Sequence, residues 1–259
     1  MVMRFLILLF MAIQGCSQCI IVQELPIFTP VSTGIILDID FPFQIENDTI
    51  INQSFATSPY SFETLSQHTH EFATQPKYMS ADPSPLTTQN EVAFIHPTAP
   101  ANRIILGGDM SIEMVFRLDP QTTPRSNFHG GSGSFQQLRI LYDGVNAWRH
   151  GWRWDFASNR AILSTTFTTD PEQWTHLLMT YTASTRELKY YINNQLLETD
   201  VRPASDPVNL NTDALFDRSS TASNAPFFGD IGIYRIYAHD LSATEVENNY
   251  NYANSFFNF

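Results

Sequence analysis

Short segments in which apolar and polar residues alternate recur along this chain, separated by glycine, proline, asparagine or aspartate. Alternation with a period of two is typical of β-strands that turn one face toward a core. The pattern predicts strands over residues 35–41, 111–118, 135–142, 147–156, 161–167, 174–182, 187–192 and 229–237, with one further short strand within 91–95. We therefore expect a chain that is mostly β-structure.

Three stretches lack this pattern and predict loops: residues 57–102 apart from the short strand, residues 119–134 and residues 202–226. The convincing helix signal follows the last strand, where Ser242 can act as the N-cap and Glu245 completes a capping box. No repeat or linker divides the sequence. We expect an all-β fold, an antiparallel β-sandwich of the jelly-roll type with a short C-terminal helix.

The N-terminus has the features of a secretory leader. Arg4 precedes an unbroken apolar run from Phe5 to Ile13, which suits a signal peptide and is too short to span a membrane. Small residues then permit cleavage after Ser17 or after Cys19. The alternative is an uncleaved N-terminal anchor. We assign residues 1–19 to this segment and residues 20–259 to a single domain.

Cysteines and sequons agree with secretion. Both cysteines, Cys16 and Cys19, lie at the end of the leader, so cleavage after Cys19 leaves a mature chain without a thiol. N-glycosylation sequons follow at Asn47 and Asn52. We expect a secreted or extracellular glycoprotein, which would be membrane-associated if the leader persists.

The charge balance limits the partners. The sequence has 26 acidic and 14 basic residues, a net charge of −12 at pH 7. This argues against binding to nucleic acid or to an anionic membrane surface, since both depend on neutralising phosphate with Lys and Arg. Lys77 and Lys189 are the only lysines, and the other basic residues are arginines. Arginine suits bidentate contacts with carboxylate, sulfate or phosphate.

The strands between residues 137 and 167 can be aligned by their faces. A five-residue loop over 143–147 keeps apolar and charged positions on separate faces, whereas a two-residue Asp143-Gly144 turn would mix them. A four-residue turn at 157–160 would then place His150 opposite Phe167 and Gly151 opposite Thr166.

This alignment separates an aromatic face from a polar face. The first carries Trp148, His150, Trp152 and Trp154. The second collects Gln137, Arg139, Arg149, Arg153, Ser164 and Thr166. The tryptophans form either a sugar-stacking platform or part of the core, and alternation against charge favours the core. The polar face is then exposed, either as a ligand surface with a gap at Gly151 or as a solvated sheet face.

The chain resembles a known family. Residues 174–181, WTHLLMTY, and 188–194, LKYYINN, are similar to a strand pair of laminin G-like jelly rolls. Residues 228–237, FGDIGIYRIY, with 241–245, LSATE, resemble the closing segment of that family, and residues 108–114, GDMSIEM, resemble an earlier strand. The resemblance covers residues 105–253 well and 24–104 loosely. It implies the fold of the concanavalin A-like lectin and glucanase superfamily, and says little about the ligand.

The sequence departs from the family pattern at a few positions. Asn194 replaces the usual glycine and can adopt positive φ in a type I′ turn. Gly232 and Ile233 occupy the positions of an Asp-Glu pair, which removes two acidic groups near a sheet edge. The disulfide of some members has no cysteine pair here.

Catalytic residues are not predicted. Related glycoside hydrolases carry the strand motif E-x-D-x-x-E, which supplies the carboxylates for glycosidic cleavage. Glu46 and Asp48 begin this motif, but Ile51 stands where the last glutamate should be. Asp38 and Asp40 form a second carboxylate pair, of a kind more often found as a polar strand end. We predict that the protein is not an enzyme.

Metal-ligating residue types occur without a complete site. His68, His70 and Glu71 lack a clear third or fourth ligand and are interpreted as part of a polar loop. No cofactor is predicted, except that calcium remains open because Asp143 and Asn146 in a tight loop could ligate it with backbone carbonyls.

Three function classes remain. We expect a secreted, non-catalytic, lectin-like module that recognises a glycan or a glycosylated extracellular partner. The alternatives are a structural subunit of an extracellular or membrane-associated assembly and, less favoured, a glycoside hydrolase. A groove across the arginine-bearing face would favour the first class, and an exposed aromatic patch near the long loops would favour the second.

Overall fold

A computed structural model describes residues 29–40, 49–51, 61–64, 70–72, 79–81, 94–95, 104–118, 125–130, 137–142, 148–153, 166–167, 173–202, 204, 209–212, 214–215 and 229–259. In chain order they form β1 (Ile35–Asp40), β2 (Thr49–Ile51), β3 (Ser61–Thr64), β4 (His70–Phe72), β5 (Met79–Ala81), β6 (Phe94–Ile95), β7 (Ile104–Gly107), β8 (Met110–Leu118), β9 (Arg125–Gly130), β10 (Gln137–Tyr142), β11 (Trp148–Arg153), β12 (Thr166–Phe167), β13 (Thr175–Thr182), β14 (Glu187–Ile192), β15 (Gln195–Val201), β16 (Asn209–Thr212), β17 (Ala214–Leu215), β18 (Gly229–Tyr237) and α1 (Ala243–Phe257).

Two antiparallel sheets contain most of these strands. The first has the order β15-β14-β13-β8-β18-β5-β4, and β1 also pairs with β18. The second has the order β12-β11-β10-β9-β17-β6-β3-β2, and β16 pairs separately with β7. The chain crosses between the two sheets several times, for example from β8 to β9 and from β12 to β13. This arrangement confirms the predicted antiparallel, mostly β fold.

The centre of the first sheet is buried on both faces. In β8 every side chain from Met110 to Phe116 is buried, although polar Ser111 and Glu113 alternate with apolar neighbours. The register with β13 and β18 places the larger apolar side chains together on one face: Ile112, Met114, Phe116, Leu177, Met179, Tyr181, Ile231, Tyr234 and Ile236. The alternate positions lie on the other face, which α1 covers.

Helix α1 begins and ends as its sequence requires. The Ser242 hydroxyl accepts from the Glu245 backbone N–H, and the Glu245 carboxylate accepts from the Ser242 backbone N–H. This confirms the predicted capping box. The last turn ends at Asn258, whose φ of 53° is left-handed. One stripe of the helix is buried against the sheet: Val246, Asn249, Tyr252, Ala253 and Phe257.

Trp174 is buried, as predicted, but its neighbours are not those expected from the sequence. It packs against the helix, with its ring centroid 4.6 Å from that of Phe257 and the Arg117 guanidinium 5.1 Å from its ring. The predicted partners, Phe167 and Trp152, belong to the second sheet. The prediction of a shared face was wrong because Trp174 leads into β13 of the first sheet.

Gly232 is explained by the same packing. It lies at the irregularity in the register between Ile231 and Ile233 on β18. A Cβ atom built on Gly232 would overlap the Phe257 ring. The absence of a side chain here lets the helix approach the sheet closely.

The hairpin between β14 and β15 has the predicted turn. Asn193 and Asn194 have φ values of 47° and 64°. Both values are left-handed, as a type I′ turn requires, so Asn194 does replace glycine there.

The three stretches predicted to be loops contain strands. These are β3, β4 and β5 in the first, β9 in the second, and β16 and β17 in the third, whereas β6 confirms the short strand predicted within 91–95. His70 and Glu71 accordingly lie in β4 rather than in a loop. Most of these segments are two to four residues long and owe their conformation to the strands beside them, so periodicity within the segment cannot reveal them.

Several predictions concern residues outside the described part of the chain. They are the leader at 1–19, the sequons at Asn47 and Asn52, the hydrolase-motif positions Glu46 and Asp48, the metal candidate His68, the calcium candidates Asp143 and Asn146, Trp154 of the aromatic face and Ser164 of the polar face.

Candidate functional site

The register of β10 and β11 reproduces the predicted face pattern. Gln137 lies opposite Arg153, Arg139 opposite Gly151, and Leu141 opposite Arg149. Residues directly opposite each other in an antiparallel pair share a face. The pairing leaves residues 143–147 as the connection, so the five-residue loop is confirmed over the Asp143-Gly144 turn.

Strand β12 is displaced from its predicted register. Thr166 lies opposite Arg149 rather than opposite Gly151, and Phe167 lies opposite Trp148 rather than opposite His150. The shift is two residues, and an even shift preserves the face of every residue. Thr166 therefore still shares a face with the arginines.

Strand β9 adds two polar residues that the sequence analysis missed. Arg125 lies opposite Leu141, and Asn127 lies opposite Arg139. Both therefore share the face of Arg149. The alternating Arg-x-Asn spacing was the available signal, but the prediction of a loop over 119–134 concealed it.

We call this set the arginine face: Arg125, Asn127, Gln137, Arg139, Arg149, Arg153 and Thr166. Arg125 and Arg149 lie two strand spacings apart, about 10 Å. Arg149 and Arg153 lie four residues apart on one strand, about 13 Å. Arg139 lies on β10, between the strand of Arg125 and the strand of Arg149. The face thus distributes four arginines over an area that a ligand of several sugar units could cover.

A second polar cluster lies buried between α1 and the first sheet. Its centre is the Glu113 carboxylate, which accepts hydrogen bonds from the Tyr237 hydroxyl at 2.8 Å and the Asn249 side chain at 2.9 Å. His176 Nε2 lies 3.1 Å from Glu113 and an Arg235 nitrogen 3.5 Å from it. Because all five residues are buried, the cluster is shielded from solvent.

The electrostatics of this cluster favour an ionised Glu113. Burial by itself would raise the pKa of Glu113, but the Arg235 charge and the hydrogen bonds from His176 and Tyr237 outweigh it and hold that pKa below its ordinary value. For Tyr237 the pKa is raised well above its usual value, first by burial and then by the nearby Glu113 charge. The cluster therefore holds a buried carboxylate as a fixed hydrogen-bond acceptor.

The cluster also links the helix to distant parts of the chain. Arg235 Nε donates to Asp38 on β1 at 2.8 Å, and the Asn249 side-chain oxygen accepts from the Val31 backbone N–H at 2.8 Å. Asp38, one of the two carboxylates considered for catalysis, is thus bound to arginine. These contacts join β1, β8, β13, β18 and α1 through groups that would be costly to leave unpaired.

His176 keeps one ring nitrogen without a hydrogen bond among the described residues. Its Nδ1 is buried and unpaired, while the ring contacts Tyr250 at 5.7 Å and Phe259 at 5.9 Å between centroids. These aromatic rings close the cluster at the C-terminus of the chain. The imidazole is fully buried, and these contacts pack it into the interior.

The described part of the chain does not contain a group of three or more His, Cys, Asp or Glu residues that could hold a metal ion. In that same part, no helix is long and apolar enough to cross a membrane.

Comparison with protein families agrees with this geometry. The model of the Laminin_G_3 family, described as the concanavalin A-like lectin/glucanases superfamily, matches residues 90–247 of the 259. The chain belongs to this family. The predicted resemblance and the jelly-roll fold class are both confirmed. No curated protein matches the chain.

Two of the solved structures with the same fold are domains that are described as complexes with a ligand. The binding domain of botulinum neurotoxin DC in complex with SialylT aligns with a TM-score of 0.57 at 14% identity, covering 85% of this chain and 51% of that one. Domain 4 of AbnA, an extracellular arabinanase from Geobacillus stearothermophilus, in complex with arabinotriose, aligns at 0.60 and 16% identity, covering 83% and 97%.

A third structure is a mutant of Trypanosoma rangeli sialidase displaying trans-sialidase activity, with a TM-score of 0.58 and 13% identity, covering 85% of this chain and 33% of that one. The chain thus spans about half of the toxin domain, a third of the sialidase and nearly all of the arabinanase domain. At these identities the likeness concerns the fold.

Proposed function

We propose that this protein is a secreted, non-catalytic laminin G-like module that binds an anionic glycan through the arginine face. The observation that carries the proposal is the register of β9, β10 and β11, which assigns Arg125, Arg139, Arg149 and Arg153 to one face. The chain as a whole carries a net charge of −12, so such a concentration of cations on one sheet is not an effect of composition.

The chemistry of the face favours an anion with more than one charged group. Guanidinium groups bind carboxylate and sulfate through paired N–H donors. Positions separated by about 10–13 Å cannot all contact one such group, so a saccharide with repeated charges suits them better than a single charged sugar. Gly151, which pairs with Arg139, has no side chain of its own to keep a flat ring away from the backbone.

Fold relatives support binding rather than a particular ligand. Two of the neighbours are a toxin binding domain in complex with SialylT and an arabinanase domain in complex with arabinotriose. From these relatives the proposal takes only that this fold can bind sugars. Its anionic preference comes from the arginine face.

Absence of catalysis is part of the proposal. The buried carboxylate of Glu113 and the partly exposed carboxylate of Asp38 are both engaged by Arg235, and buried Asp230 pairs with Arg117. Glycosidic cleavage needs two carboxyl groups that flank an accessible bond. Glu113 instead serves the contact between helix and sheet, and Asp38 joins β1 to β18.

A glycan-binding experiment tests the proposal. The double variant Arg149→Gln/Arg153→Gln should lose at least about tenfold in affinity for sulfated or carboxylated glycans, because each hydrogen bond to a charged group contributes about 1.5–3 kcal/mol. Wild-type binding should also weaken as salt is raised. Arg125→Gln should weaken binding as well, although the sequence pattern placed it in a loop.

A matched control removes the same charge elsewhere. Arg186→Gln/Lys189→Gln alters one cation in the turn between β13 and β14 and one on β14 of the first sheet, and it should leave binding unchanged. Equal binding by the arginine-face variant and this control would contradict the proposal, as would a wild-type protein that binds neither neutral nor anionic glycans. The second outcome would favour a structural subunit of an extracellular or membrane-associated assembly.

Secretion and glycosylation belong to the same proposal. We expect the mature chain to begin between Gln18 and Ile21, with glycans at Asn47 and Asn52. Intact-mass measurement of protein from its source, before and after glycosidase treatment, tests both. A chain that still begins at Met1 would favour an uncleaved anchor.

A further inference from the structure

The two ring nitrogens of His176 have opposite surroundings. The side chain is fully buried, and Nε2 lies 3.1 Å from a carboxylate oxygen of Glu113, whereas Nδ1 is buried without a hydrogen-bond partner. An ionised carboxylate can only accept hydrogen bonds, so Nε2 carries the hydrogen of the neutral ring and Nδ1 is the basic nitrogen. A second proton on this imidazole would therefore go to Nδ1.

The charged and titratable groups around the imidazole are engaged with one another. They are Glu113 on β8, Arg235 and Tyr237 on β18, Asp38 on β1 and Tyr250 on α1. The hairpin that follows β14 contributes the uncharged side chain of Asn193, which accepts from the His176 backbone N–H at 2.9 Å. Because none of these groups accepts a hydrogen bond from Nδ1, a proton placed there would be an unpaired donor in the interior, which is unfavourable.

Two aromatic rings, which we call the aromatic cover, lie against this imidazole. They belong to Tyr250 and Phe259, whose ring centroids are 5.7 and 5.9 Å from that of His176 and 5.5 Å from each other. Both residues of the cover are only partly buried. The cover is therefore the layer through which water would reach Nδ1.

One half of the cover is weakly held. Phe259 lies beyond the last residue of α1, and its backbone N–H donates to the Asn254 side chain at 2.9 Å in an exposed hydrogen bond. The preceding aromatic residue, Phe257, is buried and packs on Trp174. Opening can therefore be confined to residues 258–259 while the rest of the helix stays on the sheet.

Proton uptake and opening are coupled through Nδ1. The charge of Glu113 favours a proton on the ring in either form, but only the open form offers water as an acceptor for Nδ1–H. An imidazole in water takes up a proton near pH 6.5, and the form that binds a proton better gains population as pH falls. The ratio of open to closed molecules should therefore rise about tenfold from pH 7.5 to pH 5.5.

We propose that His176 makes the end of α1 acid-sensitive: residues 258–259 cover Nδ1 at neutral pH and leave it when Nδ1 takes up a proton. Water then accepts from Nδ1–H, and Nε2–H still donates to Glu113. Release exposes the rings of Tyr250 and Phe259, so this end of the helix becomes accessible in a mildly acidic environment. The device lies on the first sheet and does not depend on the glycan binding proposed for the second.

Backbone hydrogen exchange followed by NMR tests the coupling. The readout is the protection factor of the Asn258 and Phe259 amides, which compares the measured exchange rate with the intrinsic rate at the same pH. In wild type both factors should fall about tenfold from pH 7.5 to pH 5.5, because these amides exchange from the open form. The amides of β8 and β13 should keep their protection over this range, because the helix stays on the sheet.

Substitutions assign the response to His176. His176→Gln keeps an N–H donor for Glu113 but cannot take up a proton, so its protection factors should stay within about twofold between the two pH values. Phe259→Ala removes the ring beyond the helix, so protection at Asn258 should no longer depend on pH; this variant provides the same test if His176→Gln does not fold. His239→Gln is the matched control, since His239 is partly exposed and lies 3.7 Å from Glu245 at the start of α1, and it should keep the wild-type response.

Four outcomes would contradict the proposal. Constant protection in wild type would mean that residues 258–259 do not respond to a proton. The same tenfold fall in His176→Gln would assign the response to another group, and loss of the response in His239→Gln would assign it to His239. A parallel loss of protection in β8 and β13 would indicate general unfolding in acid.

Discussion

Replacing Glu113 with glutamine is a direct test of how α1 is held on the sheet. The carboxylate accepts from Tyr237 at 2.8 Å and from Asn249 at 2.9 Å, with His176 and Arg235 also within 3.5 Å. Glutamine keeps the shape of the side chain but removes its charge. It also brings an NH₂ group to a position where donors already converge, so part of the network must break.

The expected loss in the free energy of unfolding is large for a single substitution. Removing one partner from a buried charged pair costs about 3–5 kcal/mol, because the remaining charge stays buried. In the variant Arg235 would still pair with Asp38, at 2.8 Å, so its charge would not be left without a partner. The expected loss therefore lies at the lower end of this range, about 3 kcal/mol. A typical domain has only about 5–15 kcal/mol of net stability, so the variant should unfold at clearly lower urea concentration.

The pH dependence of this loss follows from the direction of the pKa shift. Because Glu113 has its pKa lowered in the fold, its charge stabilises the protein above the ordinary value of 4.5. That contribution is lost as pH falls through the lowered pKa. The free energy of unfolding of Glu113→Gln should therefore lie below that of wild type by a constant amount from neutral pH to about pH 5.5. This difference in free energy should become smaller below about pH 4.5.

Urea unfolding followed by tryptophan fluorescence and far-ultraviolet circular dichroism measures the effect. Glu187→Gln is the matched control, since Glu187 is about one-third exposed and pairs with Lys189 at 3.6 Å, and it should cost about 0.5 kcal/mol or less. A loss below about 1 kcal/mol for Glu113→Gln at neutral pH would refute the reasoning. If that variant does not fold, Tyr237→Phe removes only the hydroxyl that donates to Glu113 and accepts from Asn249, and it should cost about 1–3 kcal/mol.

Other predictions follow from the packing around α1. Trp174→Ala should cost about 3–5 kcal/mol in urea unfolding, and a change below about 1 kcal/mol would mean that the tryptophan is not in the core. Gly232→Ala should cost about 1–3 kcal/mol, because its Cβ overlaps the Phe257 ring, and an unchanged unfolding midpoint would argue against that contact. Spectrophotometric titration should leave Tyr234 and Tyr237 un-ionised until the protein unfolds, since burial raises the pKa of each; native titration of all tyrosines near pH 10 would contradict this.

The sequence was sufficient to predict those elements whose local signals are strong. Strands β8, β13, β14 and β18 lie close to their predicted limits, because their alternation is long and their boundaries have turn residues. The capping box at Ser242 and the Asn193-Asn194 turn were readable for the same reason, since each depends on residues close together in the chain.

The polar face shows where this local information ends. Alternation alone determined that Gln137, Arg139, Arg149 and Arg153 share a face, because the side-chain period of a strand is two. It did not determine that β9 lies beside β10, which is what brings Arg125 to the same surface.

Tertiary structure also decided which surfaces meet. The sequence showed that Trp174 belongs in a core, but the sheet to which β13 belongs decided that its neighbour is Phe257 of α1. Likewise, the burial of Glu113 could not be predicted from the sequence of its strand, because a charged residue between apolar ones indicates a side chain that faces solvent. The helix that covers it follows more than a hundred residues later, and a periodic pattern contains no information about a contact at that separation.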